Sequence, residues 1–272
     1  MQYDPIKRTL GKIFNIHPFL RRMFYGMLDL LLLRAWHIRR ELKLLRKKNQ
    51  GPLEILDAGS GFGQYVYRMS RLFPSSKIKG VDVKQEQIED CNGFFNKIGK
   101  GNQVLFEVAD LTAFHEPEKY DLILSVDVME HILEDIQVFR NFFESIKKGG
   151  ILLISTPSDE GGSDAHEHDH EEGSGFIDEH VRDGYNSKEI EEKLKTAGFK
   201  AIEIRFSYGM PGKISWKLSM KYPIQLLGAS KLFYAVLPFY YVLVFPLMIL
   251  LNYLDLYKIH SSGTGLIVKA YK

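Results

Sequence analysis

Between residues 53 and 206 the spacing of apolar positions switches repeatedly between two periods. Short apolar runs at 53–56, 77–83, 103–108, 120–126, 151–155 and 201–206 read as strands, and 265–271 reads as a last one. Between them, 63–73, 85–98, 135–147 and 187–197 carry apolar residues at helical spacing. Pro74 stops the first of these helices, Gly149 and Gly150 end the third, and Ser187 and Gly198 bracket the fourth as N-cap and C-terminal stop. Strands alternating with helices of about ten to fifteen residues mean parallel pairing. The nearly all-apolar run at 120–126 suits a strand covered on both faces. The expected class is α/β, with a doubly wound, mostly parallel, seven-stranded sheet.

The two ends of the chain follow other patterns. Leu20, Met23, Phe24, Met27, Leu28, Leu31, Ala35, Ile38, Leu42 and Leu45 recur at helical spacing, with Arg22, Asp29, Arg40, Lys43 and Lys47 opposite. Leu30, Leu32 and Leu33 make the middle of this amphipathic helix apolar all round. Two readings fit: an interfacial helix lying in a lipid headgroup layer, or a helix packed over its own domain. Arg21, Arg22 and Asp29 interrupt the apolar run and no small-residue cleavage site follows, so the stretch does not read as a secretory signal.

Near the other end, 232–254 carries no formal charge and is long enough to span a bilayer. Connectivity argues against one crossing, because the chain leaves a strand near 206 and rejoins the same sheet near 264. Two crossings do not fit in the length. Pro238 and Pro246 are expected to break a straight helix. The insert should therefore dip into a membrane and return, lie on its surface, or fold into an apolar cap. Lys213, Lys217, Lys221 and Lys231, with Trp216, Tyr222 and Tyr234, suit anchors at an interface. A dimer interface would cover the same surface.

Charge adds an asymmetry. Residues 1–50 hold twelve Lys or Arg and three acids, a net of +9 within a chain whose formal net charge is +2, so the remainder is acidic. A basic arm on an acidic body suits an anionic partner, a membrane surface in the first place. Cys91 is the only cysteine, so no intrachain disulfide forms, which fits a reducing compartment. Nucleic acid is not expected as substrate, since the basic residues cluster on the N-terminal helix and the insert without stacking aromatics along a groove.

The candidate chemistry starts directly after the first strand, at Asp57-Ala58-Gly59-Ser60-Gly61-Phe62-Gly63. The order differs from the dinucleotide fingerprint G-x-G-x-x-G, and no Walker-type phosphate loop is present. The segment resembles motif I of the class I S-adenosylmethionine-dependent methyltransferases, in the small-molecule and quinone branch. "KGVDV" ending in Asp82, "FEVADL" with Asp110, "YDLILSVDVMEHI" and "KKGGILLISTP" are similar to the later stations of that family, in order.

The resemblance implies a Rossmann-like methyltransferase fold binding S-adenosylmethionine. It implies that Asp82 accepts from the ribose hydroxyls and that Ala58, Gly59, Gly61 and Gly63 let backbone pass beneath the cofactor. Asp57 would sit near the methionine ammonium, Asp110 would accept from the adenine amino group with Val83 and Leu111 beside the ring, and Ser125 and Val126 would line the methionine end. Together with the patterns at the two ends, three parts are expected: a basic amphipathic helical region at 1–50, the cofactor domain at 51–206 plus 261–272, and a hydrophobic membrane- or lipid-facing insert at 207–260.

Methyl transfer from a sulfonium needs alignment and, for a protic acceptor, a base. His131, Glu130 and His180 are the catalytic candidates. His180 belongs to a His–x–Arg segment of the kind related enzymes bring over the acceptor. The run from Asp127 through Glu130 to His131 is similar to the E-x-x-E-H segment of quinone O-methyltransferases, which holds a divalent metal there; with Asp in the first place, a metal-free site is the leading reading. His166, His168 and His170 alternate as zinc ligands can, yet their acidic, glycine-flanked setting reads first as a solvated lid. The expected activity is methyl transfer to a hydrophobic acceptor, a quinone or phenol precursor or a lipid, by a monotopic enzyme on the cytoplasmic face of a membrane. The alternatives are a soluble small-molecule methyltransferase with its insert buried in a dimer, and a cofactor-binding scaffold without turnover.

Overall fold

The computed structural model describes residues 17–161, 181–229 and 233–272. Strands β1 (Glu54–Ala58), β2 (Lys77–Asp82), β3 (Val104–Val108), β4 (Tyr120–Val126), β5 (Ile146–Pro157), β6 (Ala201–Ser207) and β7 (Gly265–Tyr271) form one sheet in the order β3-β2-β1-β4-β5-β7-β6. β7 is antiparallel to both neighbours and every other pair is parallel. The strand order turns back between β1 and β4, where open α/β sheets bind ligands beyond their carboxyl ends. Ser207, the last residue of β6, pairs with Gly265, so the chain between them leaves and rejoins the sheet at that same edge.

The helices are α1 (Pro18–Leu31), α2 (Leu33–Lys48), α3 (Gln64–Leu72), α4 (Gln85–Lys97), α5 (Asp135–Ser145), α6 (Ser187–Ala197), α7 (Met210–Trp216), α8 (Tyr222–Ala229) and α9 (Phe233–Tyr257). Strand alternation divides the core in two. Leu56, Ile123, Leu152, Ile154 and Val268 face Phe139 and Phe142 of α5 and Ile190 and Leu194 of α6. Ile55, Leu122, Leu124, Leu153 and Ile267 face the other way, toward Val66 and Met69 of α3, Phe94 and Phe95 of α4, and Ile38, Leu42 and Leu45 of α2. Each fully buried side chain of this size contributes roughly 1.5–3 kcal/mol.

The N-terminal apolar stretch is two helices. Leu32 is extended, at φ −88° and ψ 110°, and separates α1 from α2. Burial explains the break. Tyr25 and Ile38 are both buried, yet in one straight helix they would point roughly 140° apart. Ala35, Ile38, Leu42 and Leu45 pack into the chain's own core, whereas Phe19, Met23, Met27 and Leu30 of α1 stay exposed. Two boundaries also differ from expectation. Asn186 is the N-cap of α6, its Oδ1 accepting from the Lys188 N–H at 3.0 Å, and Ser187 is the first helical residue. α5 ends at Ser145, leaving Gly149 and Gly150 inside the irregular start of β5.

The insert between β6 and β7 is a helical hairpin. α7, a π-helical turn at Lys217–Lys221 and α8 run outward, and α9 returns. The Tyr240 and Tyr241 hydroxyls donate to the carbonyls of Leu218 and Ser219, each at 2.7 Å, and Ser215 Oγ bonds Asn252 Oδ1 at 2.6 Å. α9 runs through Pro238 and Pro246, which were expected to break it. Each proline removes one i→i−4 bond, and the helix continues past both. The segment Ala235–Tyr257 is long and apolar enough to cross a membrane by length and composition, with a mean hydropathy of 2.0.

Candidate active site

The turn after β1 is tied down over β2. Both Gly59 and Ser60 donate their N–H to the Val81 carbonyl, at 2.9 and 2.8 Å, and the Gly63 N–H donates to the Ser60 carbonyl at 2.9 Å. Gly59 has φ 80°, and a Cβ on it would stand 2.3 Å from Val128 Cγ2. Only glycine fits both constraints. Gly61, at φ 50°, is different: a Cβ there would meet nothing nearer than Gln87 Oε1 at 4.0 Å, so this side of the turn is open. From above, α1 clamps the turn. The Phe62 carbonyl accepts from Arg21 Nη2 at 2.8 Å and from the Tyr25 hydroxyl. The same guanidinium donates to the Asp90 carbonyl at 3.2 Å and lies 4.7 Å from the Phe94 ring centre, joining α1 to α4.

The acids expected from the sequence stand at the ends of their strands. Asp82 closes β2 and accepts through Oδ2 from the Gly61 N–H at 2.9 Å and through Oδ1 from the Lys84 N–H at 3.0 Å. Asp110 follows β3 and accepts from the N–H and hydroxyl of Thr112, each at 2.8 Å. Beside them, Val83 is 60% exposed while Leu111 is buried. Asp57 in β1 is buried, and burial first, then the Asp82 charge, pushes its carboxyl up to about 8; the Val66 backbone N–H opposes this weakly. Among the described residues, Asp57 Oδ2, Ser60 Oγ and Ser125 Oγ are buried with no hydrogen-bond partner. Buried polar atoms left without partners are costly, so three of them around one loop mark a place that a polar ligand completes. Ala58 and Val126 are buried in the strands beneath.

Beyond β4 the rim turns abruptly. Asp127 has φ 51°, its N–H donates to the Ser155 carbonyl at 2.8 Å, and its carboxylate pairs with the Arg34 guanidinium. A carboxylate so engaged faces a cation of its own chain, and among the described residues no cluster of His, Cys, Asp and Glu is arranged to hold a metal. Glu130 is buried, accepts from Thr156 Oγ1 at 3.1 Å, and is raised above the usual carboxylate range by burial, with His131 pulling the other way. His131 is exposed at the start of the turn that leads to α5.

His180 and the run with His166, His168 and His170 lie outside the described residues. Arg182 does not. It pairs with Asp135 and donates to the Ile132 carbonyl at 2.9 Å, and the Tyr185 hydroxyl bonds Asp135 Oδ2 at 2.7 Å. The segment after 180 is thereby pinned to the turn after β4.

Arg34 and Tyr208 are the rim residues that sequence reasoning did not single out. The Arg34 N–H donates to the Tyr208 hydroxyl at 3.0 Å, although the two stand far apart in the chain. The available signal was a lone arginine inside the apolar run Leu30–Leu33 and Ala35–Trp36.

The methyltransferase-domain family matches residues 50–201, more than half of the chain. The protein belongs to the class I S-adenosylmethionine-dependent methyltransferases. Among curated relatives, the methyltransferase is 31% identical over 169 residues to phosphoethanolamine N-methyltransferase 1 of Arabidopsis thaliana, covering 59% of this chain and 31% of that one. It is 28% identical over 120 residues to malonyl-[acyl-carrier protein] O-methyltransferase 2 of Ilyobacter polytropus, covering 44% and 45%. The matches thus span less than half the length of these relatives. Among solved structures, phosphoethanolamine N-methyltransferase 2 of Haemonchus contortus in complex with S-adenosyl-L-methionine superposes with a TM-score of 0.57 at 20% identity, covering 92% of this chain and 60% of that one. That likeness is one of fold.

S-adenosylmethionine is the cofactor of the methyltransferase. The residues on the rim fit it. The molecule carries an ammonium, a diol and a flat base, and the rim offers unpartnered buried oxygens on Asp57, Ser60 and Ser125, a fixed carboxylate at Asp82 and an exposed apolar side chain at Val83. Arg34 and Tyr208 lie outside the family-matched segment.

Proposed function

We propose that the methyltransferase moves a methyl group onto a hydrophobic acceptor held at a membrane surface, a quinone or phenol precursor or a lipid. The observation that carries the reading is the hairpin. It leaves the sheet after Ser207 and rejoins it at Gly265, at the edge that carries the glycine turn and Asp127, and its return arm exposes Phe239, Val242 and Leu243 at 74, 73 and 80%. Lys213, Trp216 and Tyr222 on the outbound arm suit a headgroup layer, as does the net +9 of residues 1–50. On this reading the chain works in three parts: a basic helical region at 1–50, a cofactor domain at 51–206 plus 261–272, and a lipid-facing insert at 207–260 that dips and returns. The protein would act from the inner, cytoplasmic face.

When bound, S-adenosylmethionine supplies an electrophilic methyl on a sulfonium. The chain's residues then have separable tasks. Asp82 receives the ribose diol and Asp57 the methionine ammonium, Asp110 the adenine amine, with Val83 and Leu111 on the ring and Ser125 and Val126 at the methionine end. Gly59, Gly61 and Gly63, with Ala58, keep the backbone low beneath it. Glu130 and His131 take the acceptor's proton where it has one, at Oε or at an imidazole nitrogen, and His180 is a third candidate. Burial that raises Glu130 above the usual carboxylate range makes its carboxylate a better proton acceptor than an exposed one. The relatedness to phosphoethanolamine N-methyltransferases favours, among lipid acceptors, one with an ethanolamine-type headgroup.

Cosedimentation with anionic phosphatidylglycerol vesicles at low salt tests the membrane part. The protein should pellet, and Val242→Asp combined with Leu243→Asp should stay in the supernatant while keeping its circular dichroism. A wild-type protein that remains soluble and elutes as a dimer without detergent would instead favour a soluble enzyme with the hairpin buried between copies. Incubation of a membrane lipid extract with deuteromethyl-labelled cofactor, read by mass spectrometry, tests the acceptor.

A further inference from the structure

Among the described residues three non-glycine positions adopt left-handed backbone: Glu118, Asp127 and Tyr208. A bulky residue in that region is held there by its surroundings, and such positions concentrate at functional sites. Asp127 and Tyr208 both touch Arg34. The guanidinium pairs with the Asp127 carboxylate, and the backbone N–H donates to the Tyr208 hydroxyl at 3.0 Å. The second contact has a specific cause. α2 begins after Leu32, which offers no side-chain cap, so the first N–H groups of the helix need partners from elsewhere. The Tyr208 phenol supplies one from the root of the insert.

Tyr208 is itself tethered. Its N–H donates to Asp255 Oδ1 at 3.2 Å, and Asp255 sits buried near the end of α9. A continuous path therefore runs from the base of the hairpin through Tyr208 to the first turn of α2 and out along Arg34 to the mouth of β4. The Arg34 charge also acts on Glu130 and on the Tyr65 phenol, both beside this mouth. With 38% of its side chain exposed, Arg34 is at the surface of the rim and is not a core ion.

We infer that Arg34 is a positioning residue of the transfer site: it fixes Asp127 at the acceptor side of the rim, and Tyr208, by capping α2, fixes Arg34. The inference rests on taking the mouth of β4 as the place of transfer. Arginine is suited to the task because its planar fork holds a carboxylate in one orientation, and a misplacement of about 1 Å in a transfer site costs on the order of a hundredfold in rate.

The test compares wild type with Arg34→Ala, Arg34→Lys and Tyr208→Phe. Hydrogen–deuterium exchange of the full chain reads residues 125–131 directly and needs no acceptor. Arg34→Ala should speed exchange there, Arg34→Lys should restore most of the protection, and Tyr208→Phe should give a smaller change of the same sign. Calorimetry should find S-adenosylhomocysteine affinity within about twofold of wild type in all three, since ~0.4 kcal/mol separates a factor of two. Methyl incorporation from labelled cofactor into a membrane lipid extract should fall about tenfold or more for Arg34→Ala, in kcat more than in KM, with Lys recovering it in part.

Unchanged exchange at 125–131 in Arg34→Ala overturns the inference. So does a parallel loss of cofactor affinity and thermal midpoint that lysine does not rescue, because that marks a purely structural role. If wild type itself labels nothing in the extract, the proposed acceptor class fails, while the exchange result still decides the role of Arg34.

Discussion

The Gly61 N–H donates to Asp82 Oδ2 across 2.9 Å, so the glycine turn and the acid that ends β2 form one hydrogen-bonded unit. The other oxygen of the same carboxylate accepts from the Lys84 N–H, which fixes the start of α4 as well. Asp82→Ala therefore loosens the turn and, if Asp82 receives the ribose diol as proposed, removes that contact at once. Calorimetry with S-adenosylmethionine should show affinity reduced by about tenfold or more, ~1.4 kcal/mol per decade. An unchanged affinity would take Asp82 out of the site.

Two glycines of the turn should respond differently to the same substitution. In Gly59→Ala the new methyl would stand 2.3 Å from Val128 at φ 80°, so both overpacking and backbone strain oppose it. Together these cost about 2–4 kcal/mol of folding stability, visible as a lower urea midpoint. In Gly61→Ala the methyl meets open space, and the φ of 50° costs only about 1–2 kcal/mol. That variant should keep most of its stability and lose cofactor affinity. Equal loss of stability in both would contradict the open space at Gly61.

Asp57 carries a signed pH dependence. Its carboxyl is raised from 3.8 to about 8 by burial and by the Asp82 charge, so the folded state holds a proton that the unfolded chain releases. Its contribution to stability is fully present below about pH 4 and is lost as pH rises through about 8. Asp57→Asn mimics the protonated form and should flatten stability across that window, measured by denaturant titration at several pH values. Placing a ligand ammonium beside Asp57 reverses the preference toward the ionised form. Binding of S-adenosylmethionine near pH 7 should therefore release protons, seen as a dependence of the calorimetric heat on buffer ionisation enthalpy. A heat independent of buffer, or the same dependence in Asp57→Asn, would separate Asp57 from the ammonium.

How far the sequence could lead follows from which signals are local. Strand ends and the acids after them were legible, because Asp57, Asp82 and Asp110 each follow an apolar run of strand period and the sheet carries such ends to one edge. The break at Leu32 was not. Leu30–Leu33 are apolar on all sides, which erases the phase that would show a helix changing its buried face. The passage of α9 through Pro238 and Pro246 was hidden for a related reason: a proline rule speaks of one lost bond and not of the remaining bonds of a 25-residue helix that carry it past the gap. Arg34 and Tyr208 were illegible as a pair, since a helix capped by a phenol from beyond the sixth strand leaves no trace in either segment's own pattern.

The root of the hairpin is held by one carboxylate, and its removal should be felt far beyond one side chain. Asp255 is fully buried and accepts from His37 Nε2 at 3.0 Å, from the Gly212 N–H at 3.0 Å and from the Tyr208 N–H at 3.2 Å, with His260 Nε2 at 3.2 Å on its second oxygen. His37 Nδ1 faces Arg205 Nη2 at 3.0 Å. A guanidinium only donates, so Nδ1 accepts, and Nε2–H is the donor to Asp255. Asp255→Ala strands these donors in a dry site that joins α2, α7, α9 and β6. Breaking a buried ionic cluster by removing one partner costs about 3–5 kcal/mol. Asp255→Asn is no rescue, because an amide nitrogen turned toward either set of donors makes a donor–donor clash. In both variants limited proteolysis should cut within 207–260 before the sheet unfolds, and the urea midpoint of the tryptophan signal should drop. A loss under about 1 kcal/mol in Asp255→Ala, with the insert still protected, would mean that the hairpin is held by its apolar contacts alone and that this cluster does not tie it to the rim.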